Sequence, residues 1–423
     1  MFAERDGELF VEDVSCSELV RRFGSPLYVY SLKALRKNIS SYRKAFSKAD
    51  FTVRFLYAVK ANNNLTILKL IAKEGFGADV FSDGELYMAM LVGFNRDHIL
   101  FNGNSKSEEE IRMGVEAGVP FSVDSIDELR TLASVAKELG REVRIAFRIN
   151  PDISPDTHPK IATGLKTSKF GIPWEDVIDA YRLAAELPGI KIAGIHCHIG
   201  SQITDISPFV EAVERMFEVA KEVEKLGVEL EFLDMGGGLG IDYQGIGAPT
   251  PEDFAEKIVP AYEKGLSEIK SSPELWLEPG RSIVGNTALL LTRVNSVKRA
   301  YKNFVAVDAG FNLLVRPAMY DAYHRVAVAN KMNVKEREVY TVVGPICESG
   351  DVLAKDRELP KVERGDIIAI FDAGAYGFSM SSQYNGRRRC AEVLVDGSKT
   401  YLIRERERYS DLIANQVIPA GLF

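Results

Sequence analysis

Eight short apolar runs, at 54–59, 77–81, 98–101, 119–123, 143–149, 191–197, 230–235 and 274–278, punctuate the first two thirds of the chain. Between them lie stretches of helical periodicity near 64–74, 84–92, 107–117, 126–139, 174–187, 207–226 and 252–270. This alternation constrains the fold more than any other feature. Strands separated by helices pair in parallel, because each crossover returns the chain to the same end of the sheet. Eight of them predict closure into a (β/α)8 barrel of the TIM type, with an open doubly wound sheet as the competitor. Helix start signals support the division. Ser82 with Glu85, Ser105 with Glu108 and Ser125 with Glu128 each fit a capping box, and Thr250-Pro251 sets proline at a first helical position.

After about residue 280 the pattern changes. TALLLTRVNSV, FVAVDAG, VYTVVG, DIIAIFDAG, AEVLVDG and TYLIRE are strand-like runs without long helices between them, which predicts a second, mostly β domain of barrel type. An early strand-like piece, Pro26-Leu27-Tyr28-Val29-Tyr30, precedes a helical stretch over about 32–46 and is expected to join that domain. The expected division is a barrel over 31–280 and a β domain made from 1–30 and 281–423.

The 423 residues leave room for a barrel and a smaller partner. A net charge of −7 argues against a dedicated binder of nucleic acid or anionic membrane, where a basic excess is expected. No apolar run is long enough to span a bilayer. The opening MFAERDGELF carries acids where a secretory leader needs basic residues, so the expected location is cytoplasmic. Cys16, Cys197, Cys347 and Cys390 are scattered and read as free thiols of a reducing compartment.

In a barrel of this type the active site forms where strands run out into the following loops. Those positions hold Lys60, Asp79, Asn102, Asp124, Arg148 with Asn150, His196 with His198, Gly236-Gly237-Gly238 and Glu278. Lys60 closes the apolar run FLYAVKAN. There partial burial would favour the neutral, nucleophilic amine that a Schiff-base lysine needs, although a lysine merely snorkelling to solvent would look the same. Consecutive glycines after the seventh strand can turn several N–H groups towards one anion, and the loops after strands seven and eight are the usual phosphate site of such barrels. The run lacks the features of a dinucleotide fingerprint or a P-loop. His196 and His198 point the same way from the sixth strand, so a metal must be weighed. The other histidines, His98, His158 and His324, end no apolar strand, and no metal is expected. Glu278, in Glu278-Pro279-Gly280-Arg281, could hold a proton on a heteroaromatic nitrogen or could pair with Arg281. Lysine, phosphate nest and carboxylate together suggest pyridoxal 5′-phosphate.

The motifs YAVKAN, INPDISPDTHPKIATGLKTSKFGI, HCHIGSQ, GGGLGI, EPGRSIVG, RPAMYDAYH, CESGDVL and AGAYGFSMSSQYN, in this order from end to end, resemble the diaminopimelate decarboxylases. These belong to the alanine-racemase-like, fold type III class of pyridoxal-phosphate enzymes. The resemblance implies decarboxylation of meso-diaminopimelate to L-lysine and CO2, the last step of lysine biosynthesis. It implies that Lys60 bonds the cofactor, with Asp79 in the cofactor-binding set. His198 would stack on the ring and Glu278 would meet the ring nitrogen. Gly237, Gly238 and Ser201 would hold the phosphate, helped by Tyr376, which also counts among the substrate contacts. Arg281, Arg316 and Tyr320 would bind the retained carboxylate of the substrate, and Glu348 its ammonium. Cys347, with Glu348, would reach the site from the second subunit of a homodimer and return a proton to carbon. A related basic amino acid decarboxylase acting on ornithine, arginine or carboxynorspermidine, an amino acid racemase, and a non-catalytic homologue are the alternatives.

Overall fold

The apolar runs become eight parallel strands that hydrogen-bond in sequence order. They are Val53–Ala58, Gly77–Val80, Ile99–Phe101, Phe121–Val123, Val143–Ile149, Ile190–Cys197, Phe232–Asp234 and Glu274–Leu277. The eighth pairs with the first through Leu277 and Phe55, so the sheet closes into a barrel and the open-sheet alternative falls. This computed structural model describes residues 1–153, 163 and 168–422. The chain forms two compact units. One comprises Lys37–Asp242 with Ile246–Ile283; the other comprises Met1–Arg36, Tyr243–Gly245 and Val284–Phe423.

Inside the barrel a fully buried cluster, Leu56, Leu100, Ala146, Ala193, Phe232 and Trp276, draws one residue from each of six strands. Phe232 stacks on Trp276 with ring centroids 3.8 Å apart. Gly194 makes room for this pair, since a Cβ there would lie 2.5 Å from the Phe232 ring. At the start of the strands Arg54 forks onto Glu274 at 2.6 and 2.7 Å, and Trp276 Nε1 donates to the same carboxylate. The apolar plug and this ion pair fill the lower barrel and leave the upper rim for polar side chains.

Most of the helix starts form as expected. Ser82, Ser125 and Thr250 are N-caps whose side chains accept from the N–H three residues on. Glu85 and Glu128 turn instead to the N–H groups of Phe81 and Asp124, one residue before the cap. The expectation of Ser105 with Glu108 is corrected. Ser107 caps helix Glu108–Ala117 and forms a reciprocal box with Glu110. Ser105 has φ 60°, a left-handed conformation, whereas an N-cap needs extended backbone. Three consecutive glutamates offered the motif in two registers, and only backbone geometry separates them.

The second unit is built on sheets. A nine-stranded sheet runs in the order Val352–Leu359, Glu338–Val343, Asn303–Val307, Ala288–Arg299, Leu27–Ser31, Ala391–Asp396, Lys399–Arg404, and Ile367–Ile370 and Val326–Val328 pair off this path. The early strand Leu27–Ser31 therefore lies in mid-sheet, antiparallel to Ala288–Arg299 and parallel to Ala391–Asp396. Its alternate side chains Leu27 and Val29 join a core with Leu289, Leu291, Ala369 and Val393. Among the described residues no helix is long and apolar enough to cross a membrane.

Candidate active site

Every barrel strand or the turn after it sends a polar side chain into one buried network. Lys60 lies in the 3-10 turn Val59–Ala61 just beyond the first strand. Its amine donates to Asp79 of the second strand and sits 5.0 Å from the Phe81 ring centroid. The other oxygen of Asp79 accepts from Asn102 Nδ2 at 2.7 Å, and the same Nδ2 donates to Glu278 Oε1. One amide thus bridges two carboxylates that are 0% and 4% exposed. Glu278 also faces His196 Nε2 at 3.7 Å, and His196 Nδ1 pairs with Ser122 Oγ at 2.6 Å. Arg148 of the fifth strand is buried over the Phe170 ring, and Asp234 of the seventh accepts from the Gly236 N–H at 2.8 Å.

The environment sorts the carboxyls. Burial raises Asp79, and the neighbouring charge of Glu278 raises it further against the pull of Lys60. Burial and Glu278 hold Asp234 well above the usual range. Burial opposes ionisation of Glu278 too, but His196, Lys60 and His198 outweigh it and bring Glu278 down to about 2. Of closely spaced buried carboxyls one is then the anion, and the others keep a proton more readily. His196, Asp234 and Glu278 offer ligand atoms within 4.8 Å of one another, but burial and Glu278 push Asp234 towards its protonated form, which ligates a cation less well than a carboxylate.

His198, just past the sixth strand, is half-buried, and its Nδ1 accepts the Gly237 N–H at 3.1 Å. That bond requires the neutral ring with its proton on Nε2. Burial and then Arg148 press the same way, taking the imidazole down to about 3. Behind it the glycine run is packed too closely for side chains. A Cβ on Gly237 would lie 2.1 Å from the Glu278 carbonyl, and one on Gly238 (φ 121°) 2.4 Å from that of Gly200. The Gly238 N–H has no partner among the described residues. Ser201 accepts from Arg281 Nη2 at 2.9 Å, so Arg281 turns to Ser201 and the alternative Glu278–Arg281 pair does not form. An amine, an anionic carboxylate, a neutral flat ring and a glycine cradle with an open N–H therefore meet at one rim. These are the groups that pyridoxal 5′-phosphate would need.

The remaining expected residues lie in the other unit. Arg316 and Tyr320 share the short helix Arg316–Tyr320. Arg316 is 5% exposed, donates to His324 Nε2 at 2.8 Å and lies 4.5 Å over the Tyr243 ring. His324 Nδ1 donates to the Phe371 carbonyl at 2.8 Å, which leaves Nε2 as the acceptor Arg316 needs. Tyr376 has φ 54°, an uncommon backbone state for a tyrosine that marks a turn held by its surroundings. Cys347 and Glu348 are exposed, in a loop organised by Asp351, whose carboxylate accepts the Phe311 and Ile346 N–H groups at 2.6 and 2.7 Å. Burial drives the other three thiols upward, Cys390 to about 12, so Cys347 is the accessible one.

Sequence reasoning gave no role to Asp234, His324, Tyr384 or Asn385, and read Glu85 only as a helix-capping residue. Asp234 immediately precedes the glycines, and His324 ends the RPAMYDAYH motif, so the signal for both lay in motifs already singled out. Positions 154–162 and 164–167 of the INPDISPDTHPKIATGLKTSKFGI stretch, His158 among them, lie outside the described residues.

Residues 32–285 match the family of pyridoxal-dependent decarboxylases, in its pyridoxal binding domain. The diaminopimelate decarboxylase of Archaeoglobus fulgidus is 65% identical over 422 residues, covering 100% of both chains. The chain belongs to the diaminopimelate decarboxylase family. A crystal structure of the Methanocaldococcus jannaschii diaminopimelate decarboxylase in co-complex with L-lysine superposes with a TM-score of 0.94 at 44% identity, over 100% of this chain and 99% of that one. The lysine/ornithine decarboxylase of Vibrio vulnificus, at 23% identity and a TM-score of 0.78, shares the fold. Membership of the diaminopimelate decarboxylase family makes the protein a pyridoxal-phosphate-dependent carboxy-lyase and removes the racemase alternative.

Proposed function

We propose that this protein decarboxylates meso-diaminopimelate to L-lysine and CO2 with pyridoxal 5′-phosphate held at the barrel rim. The observation that carries the reading is the buried Lys60–Asp79–Asn102–Glu278 network, which sets an amine and an anionic carboxylate around one opening. Lys60 would hold the cofactor covalently, Glu278 at its ring nitrogen, and His198 against its face. Gly237, Gly238 and Ser201 would form the phosphate nest, with help from Tyr376. The Gly237 N–H already serves His198, so Gly238 is the nest's open donor. Bound there, the cofactor supplies a sink for the negative charge left on carbon as CO2 departs.

The chain's own groups do the rest. Asp79 orients the Lys60 amine, and Asn102 keeps the Asp79 and Glu278 carboxylates in fixed positions. Glu278 stays ionised, so it can hold a proton on a ring nitrogen. Arginine forks suit a carboxylate, and Arg281 and Arg316, with Tyr320, would take the one the substrate keeps. Glu348 of the partner subunit would take the distal ammonium, and Cys347 of the partner subunit would return a proton to the carbon that lost CO2. The reading therefore includes a homodimer with shared sites.

The test is a visible spectrum of the purified protein before and after borohydride, together with turnover. Wild type should absorb in the visible, lose that band on reduction with label on Lys60, and decarboxylate meso-diaminopimelate while leaving L-lysine untouched. Lys60→Ala should lack both band and turnover. Wild-type activity in that variant would remove the cofactor assignment, and equal rates on the two amino acids would remove the substrate.

A further inference from the structure

The motif AGAYGFSMSSQYN ends in Tyr384-Asn385. Asn385 adopts φ 58° and ψ 24°, the left-handed conformation that asparagine tolerates better than most residues. From there its side chain grips one cysteine twice. Asn385 Oδ1 accepts the Cys347 backbone N–H at 2.9 Å, and Nδ2 donates to Cys347 Sγ at 3.1 Å. The assignment is forced, since a backbone N–H can be met only by the amide oxygen, which leaves the NH2 for sulfur. Tyr384 sits beside it, 3.9 Å from the same sulfur, and donates to Glu348 Oε1 at 2.8 Å. Phe311 stacks on Tyr384, and Asp351 ties Phe311 to Ile346, so both walls of the thiol's surroundings belong to one assembly.

A thiol that gives its proton to carbon must point one way when the carbon is ready, and its sulfur must bear the charge left behind. An N–H aimed at sulfur serves both needs, because it fixes the rotamer and is directed at the atom on which negative charge develops as the proton leaves. We propose that Asn385 is the positioning residue of Cys347, holding its sulfur for proton return to the substrate carbon. This rests on the reading of Cys347 as the proton donor. In the step the S–H bond breaks, the proton goes to carbon, the electron pair stays on sulfur, and the thiolate regains a proton from water. The groups facing the sulfur are Asn385, Tyr384 and Glu348, with Arg387 bonded to the Pro345 carbonyl nearby and Asp351 beneath the loop.

The test is the pH dependence of iodoacetamide alkylation of the holoenzyme, in which a carbon–sulfur bond forms and iodide leaves, followed by peptide mass spectrometry. Cys16, Cys197 and Cys390 are buried, and Cys347→Ser gives the background. Asn385→Asp keeps the oxygen that accepts the Cys347 N–H and suits the left-handed backbone, but it replaces the donor with an anion. Its alkylation midpoint should rise by about one pH unit and kcat should fall about tenfold, with KM changed less than about twofold. Asn385→Ala, which loses both bonds, should also lower kcat and alkylate more slowly near neutral pH. An unchanged midpoint in Asn385→Asp, or a raised KM with kcat and midpoint intact, would overturn the proposal. Full turnover by Cys347→Ser would instead defeat the role given to Cys347, while the alkylation profiles would still decide whether Asn385 governs the thiol.

Discussion

Replacing Asn102 by leucine removes the one amide that serves two buried carboxylates and keeps the branched shape and number of heavy atoms, so the effect is chiefly electrostatic and no cavity is opened. Two hydrogen bonds to charged acceptors are lost, from Nδ2 to Asp79 and to Glu278. Each contributes about 1.5–3 kcal/mol. Against this, Asn102 Oδ1 is itself buried without a partner among the described residues, and deleting it recovers about 1–3 kcal/mol of desolvation. The net loss is about 3 kcal/mol, or roughly 10 °C in Tm for a unit of this size. Asp79 is already raised by burial and by Glu278, so protonating it relieves the variant. The loss should therefore be largest above neutral pH and shrink towards pH 5. Scanning calorimetry of the cofactor-free protein and Asn102→Leu across that range measures both. A shift under about 2 °C, or one independent of pH, would refute the claim that this amide bridges and stabilises the two carboxylates.

Three further outcomes follow from the same geometry. Glu85 is raised from 4.5 to about 7 by burial, with Lys60 opposing; the folded chain then keeps a proton the unfolded chain has released, and stability falls as pH rises from about 4.5 through about 7. Glu85→Gln should match wild type in unfolding free energy at acid pH and exceed it above pH 7, by up to about 3 kcal/mol; parallel curves of stability against pH would contradict this. His324→Ala withdraws the acceptor that aims Arg316 and should lower kcat/KM on meso-diaminopimelate about tenfold with the visible band intact, whereas lost stability at unchanged kcat/KM would make the contact merely structural. Cys347→Ala should be nearly inactive with cofactor bound, and mixing it with Lys60→Ala should restore part of the activity, because a heterodimer has one site with both residues; no recovery after confirmed subunit exchange would exclude a shared site.

The period of the sequence determined the barrel. Apolar runs of strand length spaced by amphipathic helices admit few arrangements, and each run forms the strand expected within two residues at either end. The strand ends were legible for the same reason, since a polar residue closing an apolar strand must face the rim, and Lys60, Asp79, Asn102, His198 and Glu278 all do. Helix Glu108–Ala117 shows the limit, because three adjacent glutamates made two registers equal and only the left-handed turn at Ser105 chose between them. Closure itself needed the Leu277–Phe55 register, a pairing across more than two hundred residues that no local pattern encodes. The mid-sheet place of Leu27–Ser31 is of the same kind. Tertiary structure also decided the charges. Asp79, Asp234 and Glu278 are alike in sequence, and only burial and the bonds around each favour the anion at Glu278 and push Asp79 and Asp234 the other way. So too with Asn385, which is thirty-eight residues from Cys347 and becomes its partner only because two loops of one sheet unit fold back to the same place.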